Sequence, residues 1–269
     1  MSPVPAADRS VQQLFDLTGK VVLISGATGY LGSAMSSGLA EAGARIVVTS
    51  SQSEEQAQAV ADRLPGDVEH IGIQMNQMDE SSIERGFAEA INRAGQLDVL
   101  VNNGHEANGS DWTTVDAKQF SRQLANSTGY FLLARHLRQH TVERGAGGSV
   151  INLGSMYGQV ASYPDAYEGV CPASPVAYHA LKGGIIHMTR HLAVYWAKDQ
   201  VRVNCLSPGA FPNPDKAPGD MVERLIKKCP MQRMGVNHEL KGAIVFLASD
   251  ASSYMTGQNL TIDGGWTAW

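Results

Sequence analysis

Val21-Val22-Leu23-Ile24-Ser25-Gly26-Ala27-Thr28-Gly29-Tyr30-Leu31-Gly32 is the stretch whose reading decides the architecture. Its first five residues read as a strand buried on both faces, and a glycine-rich turn leads straight into a helical pattern. Gly26, Gly29 and Gly32 let the backbone turn sharply and bring amide N–H groups close to a ligand. Where such a turn opens a helix, the dipole favours negative charge. Gly26, Thr28, Gly29, Tyr30, Leu31 and Gly32 are therefore a candidate pyrophosphate cradle. The plainer reading is a βα turn that holds nothing. Its place between a strand and a helix at the start of the regular pattern favours the cradle.

Outward from this turn, short apolar runs recur at 45–49, 68–73, 98–101, 149–153, 201–206 and 259–262. Helical periodicity fills the gaps, as in Ile83, Phe87, Ala90 and Ile91. Seven such units predict an α/β fold: a doubly wound (Rossmann), seven-stranded parallel sheet with helices on both faces. Residues 19–269 are expected to form one domain, preceded by an arm at 1–18 that either packs or moves. Two irregular, Pro-rich stretches, 159–175 and 209–219, follow predicted strand ends, where ligands sit in open parallel sheets.

Composition narrows the function classes. Among 269 residues, 28 are glycine and 43% are hydrophobic, enough for a sizeable core. The formal charge is −5 and no Lys/Arg run occurs, so nothing recommends nucleic acid or an anionic membrane as partner. No apolar stretch reaches a membrane span, and the first residues lack a signal peptide's apolar centre. Cys171, Cys205 and Cys229 are far apart, with no zinc-ligand spacing and no disulfide framework. A reduced, cytoplasmic setting, a small-molecule substrate and no metal are the expectation.

The second run ends in Thr49-Ser50-Ser51-Gln52. An acid at its end would accept from an adenosine ribose and select NAD; none is present, so NADP is preferred, with Ser50, Ser51 and Gln52 beside its phosphate. Asn76 and Gln77 follow the third run, where the adenine ring would pass. Asn76 reads equally well as a turn former.

Tyr178-His179-Ala180-Leu181-Lys182 opens a helical pattern from Val176 to Ala197. Residues i and i+4 share a helix face, and a lysine cation beside a tyrosine draws its pKa toward neutrality. Ser155 closes a predicted strand beside the same cleft, able to hydrogen-bond a substrate oxygen. Asn126 lies in a helical pattern from Phe120 to Leu137. A surface Tyr–Lys pair with a helix-capping serine is the alternative.

Taken with VNNG at 101–104, Asn126 in NSTG, Ser155 in INLGS and VRVNCLSPG at 201–209, the chain resembles the short-chain dehydrogenase/reductase family from about Leu17 to its end. The resemblance implies Tyr178 as general acid/base, Ser155 as orienter of the carbonyl, and Lys182 as binder of the nicotinamide ribose and tuner of Tyr178. It implies Asn126 as holder of a proton-relaying water, and cofactor contacts at Asn103, Gly104, Pro208, Gly209 and Phe211. The implied chemistry is hydride transfer between nicotinamide and a secondary alcohol or ketone, in a homotetramer.

The chain departs from the family at four points. Tyr30 stands at a usual glycine, giving a GxxGxxG spacing. His105 follows Gly104, either near the cofactor riboses or simply facing solvent. Asn213 replaces a threonine, and the loop between Ser155 and Tyr178 carries an insertion. Tyr167 and Glu168 in that insertion are candidate substrate contacts, with Asp165 nearby, and suit a polyhydroxylated ketone or alcohol whose acid group points away from Glu168. The pattern is similar to gluconate 5-dehydrogenases and 3-oxoacyl carrier-protein reductases. A sugar epimerase or dehydratase with retained NAD and a non-catalytic nucleotide sensor are the other readings.

Overall fold

Each of the seven apolar runs supplies a strand in the computed structural model, which describes residues 8–269. Residues 1–7 of the expected arm lie outside the described residues. The elements alternate as α1 (Val11–Phe15), β1 (Val21–Ser25), α2 (Tyr30–Glu41), β2 (Arg45–Ser50), α3 (Glu54–Ala61), β3 (Ile71–Gln74), α4 (Glu80–Ala94) and β4 (Val99–Asn102). They continue as α5 (Ala117–Glu143), β5 (Gly148–Leu153), α6 (Pro164–Tyr167), α7 (Val176–Trp196), β6 (Val201–Pro208), α8 (Gly219–Ile226), α9 (Lys241–Ala248) and β7 (Asn259–Ile262).

All strand pairs are parallel, in the order β3-β2-β1-β4-β5-β6-β7. The order reverses between β1 and β4, and a crevice opens there at the carboxyl ends of the strands.

Period-two alternation divides the core between the two sheet faces. Val22 and Ile24 join Met35 and Leu39 of α2 and Ile244 and Leu247 of α9. Val21 and Leu23 face the other way, onto Phe87 of α4, Leu133 and Leu137 of α5 and Leu192 of α7. Each such side chain fully buried contributes about 1.5–3 kcal/mol, which is why nearly continuous apolar runs are needed in the strands. The described end of the arm packs: Phe15 lies 6.3 Å from Phe246, and Leu17 is wholly buried.

Several boundaries shift by a residue or two, and two larger differences have identifiable reasons. β3 begins at Ile71 rather than Val68, because the His70 ring takes over the pairing; its Nδ1 accepts from the Ile46 N–H at 3.1 Å. Val68 is left exposed. α5 starts before Phe120 because Asp116 and Gln119 form a reciprocal capping box at its N-terminus.

Candidate active site

The crevice is built first from backbone. Gly26 has φ +67°, and a Cβ there would lie 2.7 Å from the Gly104 Cα; a Cβ on Gly32 would lie 2.2 Å from the Gly26 carbonyl oxygen. Both positions therefore demand glycine. Asn103 Nδ2 donates to the carbonyls of Ser25 and Gly26 at 3.0 and 2.9 Å. Ser25 Oγ accepts from the N–H groups of Asn103 and Gly104, so the turns after β1 and β4 are tied together.

Gly29 caps α2 with no side-chain hydrogen bond, and a Cβ on it would meet only the Gly26 carbonyl, at 3.4 Å. The first N–H groups of α2 thus stand over open space, which fits a pyrophosphate. From this turn a cleft of about 440 Å³ runs past Thr28, Ser51, Gln52, Asn76, Gln77 and Gly104, room for an adenosine.

Several predicted cofactor contacts have other employment. Ser50 lines the cleft, but its hydroxyl donates to Gln56 at 2.6 Å and accepts from the Gln52 N–H. Ser51 and Gln52 are the exposed groups at the rim. Asn76 is a turn former, its Oδ1 accepting from the Met78 N–H, while still lining the cleft. Gln77 Nε2 donates to the Gly104 carbonyl and to Asn126 Oδ1, leaving its Oε1 buried without a partner. Tyr30 contributes backbone: its carbonyl accepts from Ser33 Oγ and Asn237 Nδ2.

A second chamber, about 260 Å³, brings together Leu31, Asn103, Ser155, Tyr178, Lys182 and, on its far wall, Pro208, Gly209 and Phe211. Ser155 follows the end of β5 in extended conformation and caps the 3-10 turn Met156–Gly158 by accepting from the Tyr157 N–H. Tyr178 and Lys182 lie one turn apart on α7, and Lys182 Nζ is 5.6 Å from the Tyr178 ring centre. Lys182 is 4% exposed, and its ammonium donates to the Leu153 carbonyl at 2.6 Å. Burial pulls its pKa from 10.5 to about 8.

The expected lowering of Tyr178 is not what burial produces here. Desolvation raises its pKa, and the Ser155 hydroxyl draws it partly back. Lys182 directs an N–H to the Leu153 carbonyl, and burial is the largest influence on Tyr178. At neutral pH Tyr178 holds its proton, ready to give it to an oxygen lodged between it and Ser155.

Asn126 is brought near but not into this chamber. Its Oδ1 accepts from Gln77 Nε2 and the Glu106 N–H, and its Nδ2 donates to the carbonyls of Glu106 and Gln123. All four hydrogen-bonding positions of the side chain are used, so the amide clamps the loop after β4.

His105, by contrast, lines the cleft and the chamber, with its ring edge-on to Tyr178 at 5.4 Å. One ring nitrogen meets Gln123 Nε2 at 3.0 Å. The surrounding protein and then the Lys182 charge push its pKa down to about 4, although its outer edge meets the open cleft. It is an exposed loop residue whose ring also walls the site.

Beyond Ser155 and Tyr178 lies a third cavity of about 420 Å³. Tyr167 lines it, its hydroxyl 2.9 Å from that of Tyr157. Glu168 does not: it is exposed, and its carbonyl accepts from Arg224 at 2.6 Å. Asp165 is paired with Lys228 at 2.6 Å. The short helix α6 turns these carboxylates toward α8 and solvent, which corrects the expectation that they meet substrate. Asn213 caps its own turn, accepting from the Asp215 N–H. Glu168→Ala is therefore expected to leave kcat/KM within about twofold, whereas Tyr167→Phe raises KM about fivefold, the worth of one neutral hydrogen bond. Equal effects of the two substitutions on steady-state kinetics would refute this placement.

Tyr157, Asn108 and Ser174 also line the cavity and were not singled out from sequence. For Tyr157 a signal existed: it follows Ser155 by two residues at the end of a strand, where ligands bind.

The family model described as Enoyl-(Acyl carrier protein) reductase matches residues 26–267. The chain is 36% identical to an NADP-dependent mannitol dehydrogenase of Hypocrea jecorina, over 98% of each chain. It is 30% identical to a 2-dehydro-3-deoxy-D-gluconate 5-dehydrogenase of Formosa agariphila, over 94% of each. A gluconate 5-dehydrogenase from Burkholderia cenocepacia, solved with NADP and tartrate, superposes with TM-score 0.87 at 28% identity, covering 97% of this chain and all of that one. With likeness of sequence and fold running through both ends of the sheet, the chain belongs to the short-chain dehydrogenase/reductase family.

Proposed function

We propose that the protein is an NADP(H)-dependent oxidoreductase acting on a polyhydroxylated secondary alcohol or its ketone. The observation that carries this reading is the meeting of Ser155, Tyr178 and Lys182 in one chamber that shares the His105 wall with the glycine-turn cleft. The cofactor supplies hydride transfer at nicotinamide C4 when bound. Ser155 and Tyr178 hold the substrate oxygen; Tyr178 Oη gives the proton in reduction and takes it in oxidation. Lys182 holds the nicotinamide ribose and keeps a positive charge beside Tyr178. Asn126 positions the loop that bears Asn103 and His105.

Support for NADP comes from the rim at Ser51 and Gln52, where no carboxylate meets a 2′-phosphate. Glu106, also on the cleft, is neutralised by Arg122 at 2.6 Å. The mannitol dehydrogenase relative is named as NADP-dependent, and the gluconate dehydrogenase was solved with NADP. NADPH is expected to bind several-fold more tightly than NADH, neutral hydrogen bonds being worth about 1 kcal/mol each. Measured dissociation constants with NADH the tighter would reject it. Turnover of polyols or ketoses, followed by absorbance of the reduced nicotinamide, tests the reaction.

We further infer a single domain over 19–269, a cytoplasmic setting and a homotetramer. Val194 and Tyr195, 77% and 62% exposed on α7, favour a partner for that helix. No described helix is long and apolar enough to cross a membrane. A light-scattering mass of 28.8 kDa would exclude assembly.

A further inference from the structure

None of the described residues lining the 420 Å³ cavity beyond Tyr178 is Asp, Glu, Lys or Arg. Its polar groups are neutral and able to both donate and accept. Tyr157 and Tyr167 offer hydroxyls 2.9 Å apart, and Ser174 lies beside them. Asn108 stands on the opposite flank, its Nδ2 buried without a partner. The floor is apolar: Met156, Phe211, Met221 and Leu225.

The cations that stand around this wall are committed elsewhere. Arg224 donates to the carbonyls of Asp165 and Glu168, and Lys228 grips the Asp165 carboxylate. Arg122 is paired with Glu106, and Lys182 Nζ is held by the Leu153 carbonyl in the neighbouring chamber.

A carbon chain bearing hydroxyls suits such walls. Its C–H faces lie on the apolar floor, and each O–H both gives and takes a hydrogen bond at the rim. A carboxylate in the same place would give up part of its water with no cation to replace it, which is unfavourable.

We propose that the substrate is an uncharged polyol or ketose, and that the cavity rejects the aldonic acid of the same carbon skeleton because no free cation faces it. Asn108 and the Tyr157–Tyr167 pair read its hydroxyls. This rests on the oxidoreductase reading above, and the closing experiment separates the two.

The full chain is assayed with NADP⁺ on matched pairs: mannitol and mannonate, arabinitol and arabinonate, threitol and threonate. The best neutral substrate is expected to exceed its acid in kcat/KM by ~100-fold, as an unpaired and partly desolvated charge implies. An acid turned over as well as its neutral partner overturns the proposal. Turnover of no member of any pair overturns the polyhydroxylated reading beneath it, a different failure. Met221→Arg places a cation on the half-buried wall from α8, and narrows the neutral-to-acid ratio by ~10-fold or more, chiefly through KM of the acid. A Met221→Arg protein that still oxidises the neutral substrate at an unchanged ratio shows that missing charge is not the cause of the selectivity. Asn108→Ala raises KM for the neutral substrate with kcat retained; unchanged KM removes Asn108 from the reading.

Discussion

Tyr178→Phe is expected to lower kcat by about 10²–10⁴-fold while leaving the dissociation constant for NADPH within about threefold of wild type. Only the hydroxyl is removed. The ring remains edge-on to His105 at 5.4 Å and 5.6 Å from the Lys182 ammonium, so the walls of the chamber stay in place. What is lost is the proton donor facing the substrate oxygen. Burial holds that proton on Tyr178, and Ser155 is the neighbouring hydroxyl that eases its departure. Steady-state turnover and a fluorescence titration with NADPH separate the two quantities. A variant retaining more than a tenth of wild-type kcat would remove Tyr178 from the acid/base role.

Lys182→Met is expected to fail in both binding and rate, and to carry a second signature in stability. The lysine has a folded pKa of about 8 against 10.5 in the ordinary state, because burial disfavours its charge. Between those two values the unfolded chain binds a proton that the folded chain does not. Wild-type stability therefore rises as pH rises from 8 to 10.5, and below pH 8 the buried cation is a burden of at most ~3 kcal/mol.

Methionine keeps the length and loses the charge. The variant should melt above the wild type at pH 7, less whatever the lost bond to the Leu153 carbonyl contributes, and the difference should shrink toward pH 10. Thermal melts of both proteins from pH 7 to 10 measure this. A difference that stays constant with pH would mean that the Lys182 pKa is the same in the folded and unfolded chains, and so is not lowered by burial. A destabilising cation kept 4% exposed beneath Tyr178 marks a residue retained for chemistry rather than for the fold.

The sheet was legible because its signal is local. Val21–Ser25 and most of its counterparts are apolar on both faces, although Asn259–Ile262 at the edge alternates, and a parallel sheet covered by helices on both sides buries such runs. The glycine turn was legible for the same reason: Gly26 at φ +67° and Gly32 against the Gly26 carbonyl are conditions no other residue meets. Tyr178 and Lys182 share a face because helical spacing alone puts them there.

What remained for the tertiary structure was decided by contacts between segments remote in sequence. Glu168 lies outside the cavity lining, and its backbone carbonyl is held by Arg224, 56 residues on. Asn126 became a clamp because Gln77 and the loop at Glu106 use all its hydrogen-bonding capacity. His105 is exposed, and only the fold shows that Gln123 and Tyr178 also stand against its ring. The direction of the Tyr178 pKa likewise depended on burial, which no spacing reveals. Periodicity and backbone geometry follow from the chain's own covalent neighbours, so sequence alone determined the fold and the reacting pair. Solvation, charge pairing and the orientation of loop side chains depend on what the folded chain brings together, and these decided the character of the site.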